Sequence, residues 1–222
     1  GMWTVTLLLW PQVVTLHLLG GFTTLSLLWV LVQRLGNFHW QLETDVLKKI
    51  RALRSLALTG LLVVIIQIAL GGWTSSNYAA LACADLPTCH NVWIPDMDFS
   101  AGFNFLQHIG PNYLGGQMDN QARTAIHFSH RVGALITTFV LSWLIASLYM
   151  TRARVAQRIA GVLCATLLAQ VALGVSNIWF ALPLPVAVAH NAVGAMLLLG
   201  MVTLNHRIFT AQLLLNNREA ML

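Results

Sequence analysis

The sequence predicts an all-α integral membrane protein with five transmembrane helices in its 222 residues. Hydrophobic residues make up 57% of the chain and charged residues only 9%, whereas a soluble domain carries about 25% charged residues. This composition excludes a soluble enzyme and a disordered chain. The net charge of +5 does not indicate nucleic-acid binding, because Lys and Arg form short clusters between apolar runs, as topology signals do.

Five apolar stretches reach the length of about 20 residues that a transmembrane helix needs. They cover roughly residues 11–33, 53–73, 124–150, 157–180 and 185–209. Residues 1–10 are too short to span a bilayer, contain no cleavable signal peptide, and are interpreted as the end of an earlier helix.

The positions of the basic residues predict the orientation of the spans. Ten of the twelve Lys and Arg residues fall on one side of the membrane, and the exceptions are Arg123 and Arg131. The loop 74–122 contains neither Lys nor Arg. By the positive-inside rule this loop faces outward and the C-terminus faces the cytoplasm.

An internal repeat predicts how the spans are grouped. At an offset of 173 residues His17 aligns with His190 and Gly21 with Gly194, and QIALG (67–71) is echoed by QVALG (170–174). The repeat unit is then four helices, unless the likeness of two apolar helices is coincidental. The predicted parts are 1–35, the last helix of an N-terminal half; 36–52, a cytoplasmic loop; 53–213, a complete C-terminal half; and 214–222, a cytoplasmic tail. A parent of eight spans, lacking about three here, is expected.

Four histidines lie within the predicted spans: His17, His127, His130 and His190. An ionisable residue inside a membrane is a functional hypothesis by default. His17, His130 and His190 are each about 9 Å from the outer end of their spans, at about 1.5 Å per residue. Two histidines at one depth on facing helices can ligate a heme iron from both sides, so His130 and His190 are the expected pair. The alternative is that they are ordinary buried polar residues.

Two neighbours of His130 have open roles. His127 lies one turn away on the same helical face, where it either bonds a heme propionate or another histidine or is only an interfacial polar residue. Arg131 either pairs with a propionate or extends to the outer surface. Zinc is disfavoured, because it takes three or four protein ligands and the chain has neither an HExxH motif nor paired CxxC motifs.

Two cysteines, Cys83 and Cys89, lie six residues apart in the outer loop. Asp85 and Pro87 favour a turn between them, and an oxidising compartment allows a disulfide to persist. Such a pair is either a structural staple or a redox pair that passes electrons towards a heme.

Five segments together resemble the heme A synthases of the cytochrome oxidase assembly family, in their proteobacterial form: PQVVTLHLLGG (11–21), QIALGGWTSSNYAALAC (67–83), DLPTC (85–89), HFSHRVGAL (127–135) and VAHNAVGA (188–195). The resemblance implies eight spans in two pseudo-symmetric four-helix halves. It also implies oxidation of the methyl group of heme O to the formyl group of heme A for cytochrome c oxidase biogenesis.

The resemblance further assigns residue roles. It implies that His130 and His190 ligate the iron of a heme b, and that His17 is one of two histidines facing the substrate heme. Cys83 and Cys89 match the family's outer-loop pair. The other substrate-side histidine and an acidic residue belong to helices that precede this chain, so the chain is expected to be incomplete for catalysis.

The implied setting is the bacterial inner membrane, with loop 74–122 in the periplasm. Heme O synthase is the expected source of heme O, the electron donor and oxygen source are unknown, and the lipid bilayer surrounds the helices. No nucleic-acid partner is expected, and a homo-oligomer is left open. The alternative function is that of a membrane b-type cytochrome acting only in electron transfer, which does not account for the large outer loop and its cysteine pair.

Overall fold

The structure is a computed structural model that describes residues 1–106 and 118–214. In chain order its elements are α1 (Met2–Thr6), α2 (Pro11–Leu35), β1 (Gln41–Leu42), α3 (Thr44–Ala52), α4 (Arg54–Ser76), α5 (Phe99–Gly102), α6 (Asn120–Met150), α7 (Arg154–Trp179), α8 (Leu184–Phe209) and β2 (Gln212–Leu213).

The prediction of an all-α membrane protein is confirmed. Within the described residues, five helices (α2, α4, α6, α7 and α8) are long and apolar enough to cross a membrane. Their ends differ from the predicted ends by at most four residues. The largest difference is at α6, which begins earlier because the Asp119 side chain caps the helix by accepting the Ala122 amide at 2.8 Å.

Four of these helices form a closed ring. α4 packs against α6 and α8, and α7 packs against the same two helices, so α6 and α8 lie diagonally across the ring. Successive helices run in alternating directions, as in an up-and-down four-helix bundle. The larger cluster of buried side chains, including Leu148, Met201 and Ile208, extends to the end of the ring predicted to face the cytoplasm (the inner end), whereas a small cluster around Trp73 and Ile126 lies at the other end.

Helix α2 packs outside the ring, against α4 and α8. Near its outer end Thr15 hydrogen-bonds Ser76 of α4 at 3.1 Å, and further in, Trp29 donates from its indole N–H to the Thr203 hydroxyl of α8 at 2.8 Å. The rest of α2 is largely exposed. Residues 1–10 do not continue this helix outward: α1 ends at Thr6, and Leu8 and Leu9 have positive φ angles.

The inner loop 36–52 contains structure that the sequence analysis did not predict. Helix α3 buries Leu47 and Ile50 and exposes Lys48 and Lys49, as expected for an amphipathic helix at a membrane interface. Strands β1 and β2 pair in parallel over two residues each, with Gln41 opposite Gln212. A two-residue strand is too short to show alternating hydrophobicity, so nothing in the sequence pattern indicates it.

The outer loop packs onto the outer ends of α4 and α6. Trp73 donates its indole N–H to the Gly102 carbonyl at 2.8 Å, and its ring lies 4.9 Å from that of Phe105. Asp98 caps α5 by accepting the Ala101 amide. Residues 107–117 of the predicted outer loop, which include His108, and residues 215–222 of the predicted tail, which include Arg218, lie outside the described residues.

Candidate functional site

The ring of helices places His130 on α6 and His190 on α8, which are diagonal neighbours. Both histidines are held at the outer end of the bundle, since His130 lies in the first half of α6 and His190 in the second turn of α8. The structure therefore brings together the two histidines that the sequence analysis expects to act as a pair.

His130 is contacted by a glutamine and a glycine of α4. The Gln67 carboxamide nitrogen lies 3.0 Å from Nδ1 of His130 and 3.0 Å from the His130 carbonyl oxygen. One turn further along α4, a Cβ atom at Gly71 would lie 3.2 Å from Cε1 of the same imidazole. The His130 imidazole thus lies between the Gln67 carboxamide and the backbone of α4 at Gly71, where no side chain intervenes.

His190 has a similar environment, built from α7, although the glutamine contacts Nε2 here and Nδ1 in His130. The Gln170 carboxamide nitrogen lies 3.3 Å from Nε2 of His190, and a Cβ atom at Gly174 would lie 3.2 Å from Cε1. The echo between QIALG and QVALG therefore has a structural meaning. In each segment the glutamine and the glycine four residues later lie on one helical face and meet one histidine.

Gly133 and Gly194, which follow the two histidines on their own helices, make room for the two glutamines. A Cβ atom at Gly133 would collide with Oε1 of Gln67, and a Cβ atom at Gly194 would lie 3.3 Å from Nε2 of Gln170. Each glutamine thus occupies space that a glycine on the histidine's own helix leaves free.

His17 lies elsewhere. It is exposed on α2, outside the ring, and its Nδ1 is 3.3 Å from the backbone nitrogen of Gly1. Gly20 and Gly21, one turn further along α2, have no atoms near where their side chains would be. The structure therefore does not join His17 to the His130–His190 pair.

The donor set suits a heme iron better than a bare metal ion. In the described part of the chain there is no group of three or more His, Cys, Asp or Glu side chains able to hold a metal ion. A heme iron needs only two axial protein ligands, because the porphyrin supplies the other four. The buried Nδ1 of His190 has no hydrogen-bond partner, as expected for an atom kept for a ligand.

The outer-loop cysteines form a disulfide between Cys83 and Cys89, with their Cα atoms 4.8 Å apart. Both residues are buried. This confirms the expected pairing of Cys83 with Cys89. The third cysteine, Cys164, is a free, half-buried thiol in α7.

Asp85 organises the chain between the two cysteines. Its carboxylate accepts the Thr88 hydroxyl at 2.6 Å and the amides of His90 and Asn91 at 2.7 and 2.9 Å. These hydrogen bonds, led by that from Thr88, hold the pKa of the Asp85 carboxyl well below its usual range. The carboxylate therefore stays ionised and keeps the turn closed at ordinary pH.

The turn of α6 that carries His130 also holds this disulfide loop. The buried His127 accepts the Cys83 amide at Nδ1, at 3.1 Å. Arg131 donates to the carbonyls of Cys83, Asp85 and Thr88 at 2.6, 2.8 and 2.8 Å. Neither contact was among the roles that the sequence analysis considered. Arg131 keeps one buried nitrogen, Nε, without a partner.

The sequence analysis did not identify the two glutamines, nor the hydrogen bonds from Arg131 and His127 to the disulfide loop. The glutamines had a signal, since both stand first in the repeated QxALG segments. The hydrogen bonds to the disulfide loop had no such signal. Arg131 and the Cys83 carbonyl, which lies more than 40 residues earlier in the chain, are brought together only when the loop folds.

Comparison with known proteins gives one family and several relatives. The sequence profile of the family described as "Cytochrome oxidase assembly protein" matches residues 1–202. A protein named heme A synthase from Shewanella oneidensis is 44% identical over 93% of this chain and 61% of its own length. Proteins of the same name from Methylobacterium nodulans and Methylobacterium radiotolerans are 35% and 34% identical, over 72% and 70% of this chain.

The chain spans about three fifths of the Shewanella protein and about two fifths of the two Methylobacterium proteins. No solved structure gives a significant match. The family profile nevertheless covers all of α2, α4, α6 and α7 and α8 as far as residue 202. The chain belongs to the cytochrome oxidase assembly protein family.

Proposed function

We propose that this protein acts as a heme A synthase and oxidises the methyl group of heme O to the formyl group of heme A, with a heme b bound in the ring of α4, α6, α7 and α8. The observation that carries the proposal is the placement of His130 and His190 on diagonal helices, each against a glutamine and a glycine. The matched relatives, all named heme A synthase, support the same activity.

The chain's part in this function is to bind and orient the cofactor. His130 and His190 would hold a heme b, which would supply one-electron redox chemistry when bound. The apolar helices around the two histidines would exclude water from such a group. Arg131 and His127 join this site to the disulfide loop, so loop and cofactor are held by the same turn of α6. Contact of Arg131 or His127 with a propionate stays a prediction.

His17 is proposed to face the substrate heme. It lies on the exposed face of α2, beside glycines that leave room for a flat group. On the repeat-based interpretation, α2 is the last helix of a preceding four-helix half. Heme b and heme O are then bound in separate halves, which α2 connects by packing on α4 and α8.

The proposed location is the bacterial inner membrane, with the disulfide loop on the periplasmic side and the end of α8 on the cytoplasmic side. The basic residues support this orientation, because Lys48, Lys49 and Arg51 of α3 lie at the end of the bundle opposite the disulfide loop. Delivery of heme O by heme O synthase and an external electron donor are parts of the same proposal.

The activity is tested by extracting hemes from a host that makes heme O but no heme A. The longest open reading frame containing this sequence is expressed, and the pigments are separated by reversed-phase chromatography. Heme A should appear, and His17→Ala should abolish it while leaving the reduced b-type spectrum unchanged. A normal b-type spectrum with heme O never converted would instead indicate a cytochrome that acts only in electron transfer.

A further inference from the structure

We propose that Gln67 and Gln170 are positioning residues of the heme-binding half: each holds the imidazole of one axial histidine from the neighbouring helix and decides which ring nitrogen is left for the iron. This inference rests on the proposed function, because it concerns the same pair of histidines. It adds a role for two residues that neither bind iron nor touch substrate.

The first support is the duplicated geometry. Gln67 of α4 meets one ring nitrogen of His130 at 3.0 Å, and Gln170 of α7 meets one ring nitrogen of His190 at 3.3 Å. Each contact leaves the second nitrogen of the ring uncommitted. The nitrogen that is contacted differs between the two rings: it is Nδ1 in His130 and Nε2 in His190, which leaves Nε2 of His130 and Nδ1 of His190 for a ligand.

The second support is that the carboxamides have unused capacity. Oε1 of Gln67 and Oε1 of Gln170 are buried without a hydrogen-bond partner. A histidine that binds iron through one nitrogen carries a proton on the other, and that N–H needs an acceptor. Rotation of the terminal amide of Gln170 brings its unpartnered oxygen to the N–H, whereas the same rotation of Gln67 also gives up the hydrogen bond from its Nε2 to the His130 carbonyl. A buried acceptor without a donor is costly, so heme binding would satisfy both groups together.

The third support is the room made for each glutamine. A side chain at Gly133 would collide with the Gln67 carboxamide, and one at Gly194 would crowd that of Gln170. Glycine is unfavourable in a helix interior by about 1 kcal/mol relative to alanine. Its presence at both positions is explained by the glutamine on the facing helix.

The test compares Gln67→Leu and Gln67→Glu in the purified holoprotein, with the same two changes at Gln170. Leucine removes the acceptor, weakens electron donation from the imidazole and destabilises ferric heme, so the midpoint potential should rise. Glutamate strengthens the acceptor, so the potential should fall. A tenfold change in the ferric–ferrous equilibrium corresponds to about 59 mV for one electron. Leucine should also lower heme retention against apomyoglobin, since such outer partners contribute about 10- to 100-fold in affinity.

Two further variants guard against a trivial result. Gln33→Leu is the matched control, because Gln33 is a buried glutamine on α2 near its inner end, and its potential should equal that of the wild type. Gly133→Ala keeps the glutamine but displaces its carboxamide, so it should shift the potential in the same direction as Gln67→Leu. This variant tests the idea even where a leucine at position 67 prevents folding.

The outcomes separate the two proposals. Opposite potential shifts for leucine and glutamate support the positioning role. Midpoint potentials equal to that of Gln33→Leu in every glutamine and glycine variant overturn the positioning role. The heme proposal still stands in that case if His130→Ala and His190→Ala lose the low-spin signal. A low-spin signal that survives both histidine changes overturns the heme proposal itself.

Discussion

Arg131 donates a 2.6 Å hydrogen bond to the carbonyl oxygen of Cys83. This contact joins the residue next to the proposed ligand His130 to the first cysteine of the outer-loop disulfide. The disulfide loop and the turn of α6 that carries the proposed ligand therefore form one structural unit, although more than 40 residues separate them along the chain.

We expect Arg131→Lys to loosen the loop. Lysine keeps the charge but lacks the planar fork that lets the guanidinium donate to three carbonyls. Hydrogen bonds from charged groups contribute about 1.5–3 kcal/mol each, so reduction of the disulfide by a phosphine should be at least about tenfold faster than in the wild type. Arg123→Lys, at the same end of α6, is the control. A wild-type reduction rate in Arg131→Lys would show that Arg131 does not hold the loop.

The Asp85 carboxylate should make the loop resistant to all but strong acid. Its pKa is lowered from the ordinary value of 3.8 by hydrogen bonds to the folded turn, so its contribution is complete above pH 3.8 and is lost only as pH falls through the lowered pKa. Phosphine reduction of the wild type, corrected with a small-molecule disulfide, should stay slow from pH 7 to about pH 4. Asp85→Asn should reduce faster throughout this range, and a variant as slow as the wild type would contradict the assignment.

Thiol counting by mass spectrometry tests the disulfide. The chain has three cysteines, so the denatured wild type should gain one alkyl label without reductant, at Cys164, and three after reduction. Cys83→Ser should gain two labels in both conditions. Three labels on the unreduced wild type, prepared from an oxidising compartment, would exclude the bridge.

Close packing at Gly60 predicts a stability effect remote from the heme site. A Cβ atom there would lie 2.8 Å from Cε of Met201 and 3.2 Å from methyl groups of Leu141 and Leu144. The methionine end can yield to an alanine, but valine should overpack the core by about 1–3 kcal/mol and lower the Tm in detergent by about 2–10 °C. Gly20→Val, where the space is open, should change the Tm much less. Equal Tm values for the two valine variants would contradict the packing.

The sequence was sufficient for those features that depend on local pattern. Long apolar runs predict the five spans, and the spacing of His130 and His190 from the span ends predicts their shared depth. The repeat indicates that α4 and α7 are equivalent, and the two QxALG contacts bear this out.

The remaining features depend on contacts between distant segments. Nothing near His127 in the sequence indicates that its partner is the Cys83 amide, because that depends on how the loop folds back onto α6. The parallel pairing of residues 41–42 with residues 212–213 likewise joins the loop after α2 to the segment after α8. Neither arrangement leaves a periodic signal in the chain.

The measurement closest to the central claim is the dithionite-reduced absorption spectrum of the purified protein, together with pyridine extraction of its pigment. We expect one low-spin b-type heme per chain, which is lost in His130→Ala and in His190→Ala and kept in His17→Ala. A low-spin b-type heme that persists in both His130→Ala and His190→Ala would contradict this expectation, because the iron would then be held by other residues.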